Sequence, residues 1–442
     1  MPTPHNIPPL SLSLQHRNAL HYGMLGFPLA LLGIPLYLYL PNYYHQSFSM
    51  SLALIGSALL AARLFDVLTD PFIGWLSDRL KLHPSRFLQR QWQIILGIVF
   101  LSGGTYQLFF PSNNPGWGYL FIWSFITYLG WTLTQVPHQA MNAEISSESL
   151  QKTRLASYRE AFAILGVMVV IILPALLGLD ANSEMFYQLV FLLLLVSAII
   201  GALSLFFLRQ DRVIEQLEEE SHSVKAPSLL YVLSKLWREH RLVFSIMPSY
   251  FTNNLANAIP ATLFMIFVSD YLELSEYTGL FLLTYFIAGI VALPVWFKLA
   301  QFFNKYEIWQ ASMLLASLSF IGVFTLQAGD WLGFLFICIL TGLSLGIDIA
   351  MPTSIQADLT QDVLSEKLPT SGLLFGIWGM LTKLSLALAI GISFPLLDWA
   401  QNNHFIPQVI LLLLYAAVPI LLKIGAWWLL VNLSDQSRYK EE

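Results

Sequence analysis

The chain has 442 residues, of which 56% are hydrophobic and 11% charged, with a net charge of −5. A soluble domain carries about 25% charged residues. At a mean hydropathy of +0.63 no soluble fold could cover this much apolar surface, so the bilayer is the solvent. No long basic run points to nucleic acid.

The stretch from Met1 to Leu14 is rich in Pro and Ser. It lacks the charged start and cleavage site of a signal peptide, so the first membrane helix is expected to be its own targeting signal. A span needs about 20 mostly apolar residues. Twelve stretches qualify: 18–40, 48–70, 91–110, 117–141, 155–178, 186–207, 242–268, 275–297, 306–328, 331–356, 369–397 and 405–432. Between Arg90 and Glu144 no side chain is charged, and Pro111-Ser-Asn-Asn-Pro115-Gly116 supplies the turn between two spans there. With the N-terminus in the cytoplasm, the outer loops hold Asp180, Glu184, Asp270, Glu273, Glu276, Asp330 and Asp398 and no Lys or Arg. The inner loops hold Arg79, Lys81, Arg86, Arg90, Lys152, Arg154, Lys298 and Lys305. That is the positive-inside pattern, and it puts both termini in the cytoplasm.

The longest polar stretch is 208–241, with six spans on either side, so the expected domains are 1–207, a linker over 208–241, and 242–442. Two six-helix halves around a charged cytoplasmic linker are the major facilitator layout, an all-α membrane fold. Glu218-Glu219-Glu220 reads as a solvated linker ahead of a regulatory partner site. Ser228 to His240 has the pattern of an amphipathic helix on the membrane surface.

A charge at a helix centre costs about 3 kcal/mol on insertion, so such residues face a cavity or a partner. The second span reads Arg63-Leu-Phe-Asp66-Val-Leu-Thr69-Asp70-Pro71. Positions 63, 66 and 70 share one helix face. Two carboxylates and a hydroxyl one turn apart make an oxygen-rich site for Na⁺, or a proton-carrying pair. The plainer alternative is that Arg63 merely neutralises Asp66 and Asp70 caps a packing contact.

Gly74-Trp-Leu-Ser-Asp78-Arg79 follows. It resembles the signature of the loop between helices 2 and 3 in the major facilitator superfamily. That resemblance assigns Gly74, Asp78 and Arg79 to gating, with Asp78 and Arg79 in ion pairs that hold one transport state.

The fourth span ends with Thr132, Thr134, Gln135, Pro137, His138, Gln139, Asn142 and Glu144, and the fifth opens on Arg159-Glu160. The tenth holds Asp348 and Pro352, then Asp358 and Asp362. The eleventh holds Trp378 and Lys383, with no second charge in its own helix to pair the lysine. Lys383 is therefore expected to find a partner across the bundle, with the helix 2 carboxylates as candidates. Lys423 lies nearer an inner end and reads as snorkelling. Tyr43, Tyr44, Trp117 and Trp331 sit at span ends and read as interfacial belt. Cys338, the one cysteine, lies in an apolar run and reads as a buried, inert thiol.

Four segments together carry a more specific likeness. They are Arg63-x-x-Asp66-x-x-x-Asp70-Pro71-x-x-Gly74-Trp75, then Pro137-x-x-Ala140-x-x-x-Glu144-Ile145-Ser146, Arg159, and Gly372 to Ser385. The chain resembles the glycoside–pentoside–hexuronide:cation symporters, the melibiose-carrier group of the major facilitator superfamily. The resemblance implies that Asp66 and Asp70 bind the coupling cation, with Thr132 as a further oxygen ligand and Lys383 approaching that site. It puts Arg159 near the solute cavity. Thr69 stands where the sugar carriers often have Asn.

The departures concern the cargo. The carboxylates that grip sugar hydroxyls on helices 1 and 4 of the melibiose carrier are replaced by Leu29 (or Pro28) and Gln135, and its stacking aromatic by Gln139. The expected function is symport of a sugar or glycoside with Na⁺ or H⁺ by alternating access, in a bacterial-type inner membrane and as a monomer. The solute is expected near Gln135, His138, Gln139, Arg159, Asp348 and Trp378. An amphiphile such as a lysophospholipid is the alternative cargo. A membrane enzyme is disfavoured, because no nucleophile–base pair, H-E-x-x-H or phosphate loop occurs. A sensor is disfavoured for want of a signalling domain. No cofactor is expected beyond the coupling ion.

Overall fold

The computed structural model describes residues 12–81, 89–111, 115–179, 183–209, 228–365, 370–402 and 407–441. Arg86, Asp180, Glu218-Glu219-Glu220 and Lys225 lie outside them. The described residues are helical apart from short connections, because a backbone away from water must satisfy its own N–H and C=O groups. In chain order the helices are α1 (Leu12–Gly23), α2 (Gly26–Leu31), α3 (Leu40–Phe48), α4 (Leu52–Lys81), α5 (Arg90–Phe109), α6 (Trp117–Ile145), α7 (Ser149–Leu177) and α8 (Glu184–Ser204). There follow α9 (Leu229–Glu239), α10 (Arg241–Ser245), α11 (Met247–Ile266), α12 (Thr278–Leu299), α13 (Lys305–Ile321), α14 (Trp331–Ser365), α15 (Ser371–Asn402), α16 (Pro407–Leu412) and α17 (Val418–Glu441).

The first predicted span is one interrupted helix, with a π-helical turn at Pro35–Tyr39 between α2 and α3. α4 runs on through Pro71, and α14 through Pro352, well past the ends expected at 70 and 356. Neighbouring helices tolerate such prolines inside a membrane bundle. Ten helices among the described residues are long and apolar enough to cross a membrane. The two other long helices, α4 and α6, are those that carry Arg63, Asp66, Asp70, Thr132, Gln135 and His138. Their polar side chains are what lower their hydropathy.

By packing, the chain divides into two compact units. The first comprises Met1–Ser234 with Gln356–Met380, and the second Lys235–Ile355 with Leu381–Glu442. α14 and α15 therefore contribute to both. In the first unit α5 lies against α6 almost backbone to backbone. A Cβ added to Gly130 would sit 2.2 Å from the Leu101 nitrogen, and one added to Gly104 2.4 Å from Thr127 Oγ1. Small residues permit this approach in a solvent that offers helices no hydrophobic drive to associate. In the second unit α17 packs on α11 and α13, over an apolar core that includes Leu263, Phe267, Phe334 and Tyr415.

Two local expectations change. Lys423 does not snorkel: it is 1% exposed, and its Nζ donates to Asp348 Oδ2 at 2.7 Å and Asn253 Oδ1 at 3.0 Å. A paired ammonium can stay inside where a lone one would seek the interface. Tyr43 and Tyr44 are core residues, not belt. Both are buried, and the Tyr44 hydroxyl donates to the Leu108 carbonyl at 3.0 Å. Trp117 and Trp331 do remain exposed. α9 is helical where 228–240 was read as amphipathic, with Val232 and Leu236 buried and Leu230, Tyr231 and Trp237 exposed. Cys338 is buried.

Candidate transport site

The centre of the first unit is built on α4. Spacings of three and four put Arg63, Asp66 and Asp70 on one face, and α6 lies along it. Asp66 and Asp70 are 2% and 1% exposed. Thr132 Oγ1 stands 2.9 Å from Asp66 Oδ1 and 2.7 Å from Asp70 Oδ1. A threonine hydroxyl has one proton to donate. It can donate to one of these carboxylates at a time, so the three oxygens stand close enough to share a proton or a cation. Arg63 Nη1 meets Asp66 Oδ2 at 3.3 Å. The far side of the site is glycine backbone from α15: a Cβ added to Gly379 would lie 3.0 Å from Asp70 Oδ2, and one added to Gly376 2.4 Å from the Asp70 carbonyl oxygen.

One expected ligand turns away from this group. Thr69 turns its hydroxyl back onto the Asp66 carbonyl at 3.0 Å, the usual i−3 bond of a helical threonine. Lys383 is half-buried on α15, in the part of that helix that belongs to the second unit.

The expected solute residues separate into distinct environments. Gln135 Oε1 accepts from Trp131 Nε1 at 2.6 Å, one turn apart on α6. His138 is fully buried, stacked on Tyr22 with ring centroids 4.3 Å apart, and its Nε2 lies 2.8 Å from the Tyr22 carbonyl. It thus ties α6 to α1. Nearby, His138 Nδ1, Gln139 Oε1, both amide atoms of Asn142 and the Tyr22 hydroxyl are buried with no protein partner. Such groups cost about 1–3 kcal/mol each unless water or a ligand meets them. Arg159 is ion-paired with Glu160 beside it on α7. Trp378 is 2% exposed, in the part of α15 that packs with the first unit. Asp348 lies in the second unit. Besides Lys423, it accepts from Ser312 Oγ at 2.6 Å and faces Asn257 Nδ2 at 3.4 Å.

Asp78 and Glu144 lie in a compact ion network. Asp78 accepts from the backbone nitrogens of Gly372 and Leu373 at 2.7 and 2.8 Å, in the first turn of α15. A carboxylate there meets both the unpaired N–H groups and the positive end of the helix dipole. Arg90 Nη2 bonds Asp78 Oδ1 at 2.6 Å, Glu144 Oε1 at 2.7 Å and Ser371 Oγ at 2.8 Å. Lys81 adds a 2.9 Å pair to Glu144. Gly74 makes room for all this, since a Cβ there would lie 2.1 Å from the Gly372 carbonyl oxygen.

Arg79, expected in these ion pairs, is exposed and lies over the Trp75 ring, 5.4 Å from its centroid. Arg90, which the sequence reading counted only as a loop charge, takes its place. A second tie is Lys152–Asp358 at 3.1 Å, with Ser149 Oγ donating to Asp358 Oδ2 at 2.7 Å. Arg90 and Lys152 could have been noticed as basic residues at the inner ends of spans, near chain neighbours with carboxylates. Their partners lie on other helices, however.

Residues 21–434 match the family described as MFS/sugar transport protein. The chain belongs to that family. It is a multi-pass membrane protein, a secondary-active transporter that works by alternating access, and the family is one of transporters and not of enzymes. The symporter YnaJ of Bacillus subtilis, uncharacterised, is 25% identical over 63% of this chain and 60% of its own length, so the match spans less than two thirds of that relative. The uncharacterised symporter sll1374 of Synechocystis sp. is 24% identical over 85% of this chain and 84% of its own. The crystal structure of the major facilitator transporter FucP in the outward conformation has a TM-score of 0.67 at 13% identity. It covers 96% of this chain and 98% of that one, a likeness of fold. Among the described residues no group of three or more His, Cys, Asp or Glu side chains is placed to hold a metal ion.

Proposed function

We propose that this transporter is a cation-coupled symporter of the glycoside–pentoside–hexuronide type, carrying a sugar or glycoside with Na⁺ or H⁺. The reading rests on one observation above all: Thr132 Oγ1 lies within hydrogen-bond reach of both Asp66 and Asp70 while owning a single proton. The two carboxylates are buried and share that hydroxyl, an oxygen-rich arrangement suited to a coupling cation. α4 and α6 are read as spans alongside the ten more apolar helices, making twelve in two sets of six with both termini in the cytoplasm. Na⁺ or H⁺ enters at Asp66 and Asp70. The solute is met by Gln135, Gln139 and Arg159, with the unpartnered Gln139 Oε1 and both amide atoms of Asn142 supplying acceptors and a donor for hydroxyl groups. The Asp78–Arg90–Glu144 network holds the 356–380 segment in one transport state and must release it in the other.

The test is uptake into liposomes under an imposed Na⁺ or H⁺ gradient, screened against glycosides, pentosides, hexuronides and lysophospholipids. Gradient-driven uptake of a sugar is expected, falling at least tenfold in both Asp66→Ala and Asp70→Ala. Uptake indifferent to both gradients and both substitutions overturns the coupling. Uptake of lysophospholipid alone assigns the cargo to the amphiphile class instead.

A further inference from the structure

Arg63 is held by more than its carboxylate. Its guanidinium carbon stands 4.1 Å from the centroid of the Tyr37 ring and 5.0 Å from that of Tyr128. Both distances are within the roughly 6 Å at which a cation is attracted to an aromatic face. Against this, the ion pair is weak in form: one Nη1···Oδ2 contact of 3.3 Å, where a two-pronged Arg–carboxylate pair would hold at about 2.7–2.9 Å. The two tyrosines compete with Asp66 for the guanidinium. Tyr37 also lies beside Trp131, centroids 6.4 Å apart and planes tilted by 40°. Trp131 spends its indole N–H on Gln135. Tyr37 itself stands in the π-helical turn at Pro35–Tyr39, the irregular part of the first span. A continuous line of contacts thus leads from the Asp66 carboxylate to a residue of the solute region, inside one packing unit.

Resting on the coupling reading above, we propose that Arg63 is a resident counter-ion, and that the aromatic line Tyr37–Trp131 transmits its position to Gln135. While Asp66 carries its negative charge, that charge draws the guanidinium partly off the rings. When a proton or Na⁺ neutralises Asp66, that pull vanishes, and Arg63 settles onto the faces of Tyr37 and Tyr128. Tyr37 turns against Trp131, and the indole N–H changes its hold on Gln135. Cation occupancy so alters the hydrogen-bonding capacity offered to the solute. Tyr37 and Trp131 are positioning residues here; they touch neither ion nor solute. Without the rings to draw it away, Arg63 would pair more closely with Asp66 and compete with the entering cation.

The experiment uses the purified full-length chain in lipid nanodiscs, with tryptophan emission followed during two titrations: Na⁺ against choline at constant ionic strength, and pH steps. The wild type is expected to respond to one of them. Asp66→Asn should remove the response, and Trp131→Phe should remove its main component despite the other 12 of the 13 tryptophans. Tyr37→Leu and Gln135→Leu should each abolish the Trp131 component. Tyr37→Leu should also raise the half-saturating cation concentration about two- to fivefold, as loss of one exposed cation–π contact predicts. Tyr37→Phe keeps the aromatic face and should restore wild-type behaviour, which a variant that merely fails to fold would not explain. A response that depends on Asp66 but survives Trp131→Phe, Tyr37→Leu or Gln135→Leu unchanged overturns the relay and leaves the coupling site standing. No response in the wild type, or one that persists in Asp66→Asn, overturns both.

Discussion

Thr132 matters because it has one proton for two carboxylates. Asp66 and Asp70 both lie within 2.9 Å of one hydroxyl, and under the proposed coupling an entering cation would be shared by these three oxygens. Thr132→Val keeps the shape and removes the oxygen. The half-saturating cation concentration for uptake is expected to rise about tenfold, equivalent to ~1.4 kcal/mol, and Thr132→Ser should bring most of it back. The check is a cation titration of initial uptake rate; an unchanged midpoint in Thr132→Val would place the ion elsewhere. At the same scale Lys423 shows the limit of reading one residue at a time. Its position near a span end suggested snorkelling. Asp348, Asn253 and Ser312 belong to three other helices, and their convergence around one buried charge pair is invisible in the local sequence.

At the scale of elements, α4 and α15 are joined by two kinds of contact that depend on each other. Gly74 and Gly372 let the backbones touch. Only then can Asp78 reach the first-turn nitrogens of α15. The carboxylate at a helix N-terminus contributes about 0.3–1 kcal/mol when exposed and up to ~2 kcal/mol when partly buried. Asp78→Asn should loosen this end of α15. Ala140 and Ala143 are fully buried against Ala357 and Phe375, so a cysteine at Ala143 in a Cys338→Ser background is expected to resist maleimide. Adding Asp78→Asn should speed its alkylation at least tenfold. No change in rate would mean that the network does not hold the 356–380 segment. The carboxylate face of α4 was readable from spacing alone, because residues three and four apart must share a helix face. That Arg90 and not Arg79 completes the network was not, since both are basic residues beside the same loop and only packing turns one inward.

For the whole molecule, coupling to a cation has an electrical consequence. A neutral solute carried with one cation moves one charge per cycle, and 100 mV acting on that charge is worth about 2.3 kcal/mol. Proteoliposomes given an inside-negative potassium diffusion potential of 100 mV should therefore accumulate solute about fiftyfold beyond those at zero potential. Accumulation insensitive to potential, with the gradient dependence retained, would assign the cycle to an electroneutral exchange instead. Composition by itself determined that this chain lives in a bilayer, because so little charge and so much apolar surface have no other solvent. Hydropathy placed ten long apolar helices, and helical spacing placed Arg63, Asp66 and Asp70 together, since both are properties of a segment taken alone. Tertiary structure alone decided that one hydroxyl lies within reach of both carboxylates, that Arg90 and not Arg79 meets Asp78 and Glu144, and that Lys423 pairs with Asp348. Each of those is a side-chain meeting between different helices, and a meeting of that kind depends on how the helices pack, which no local periodicity records.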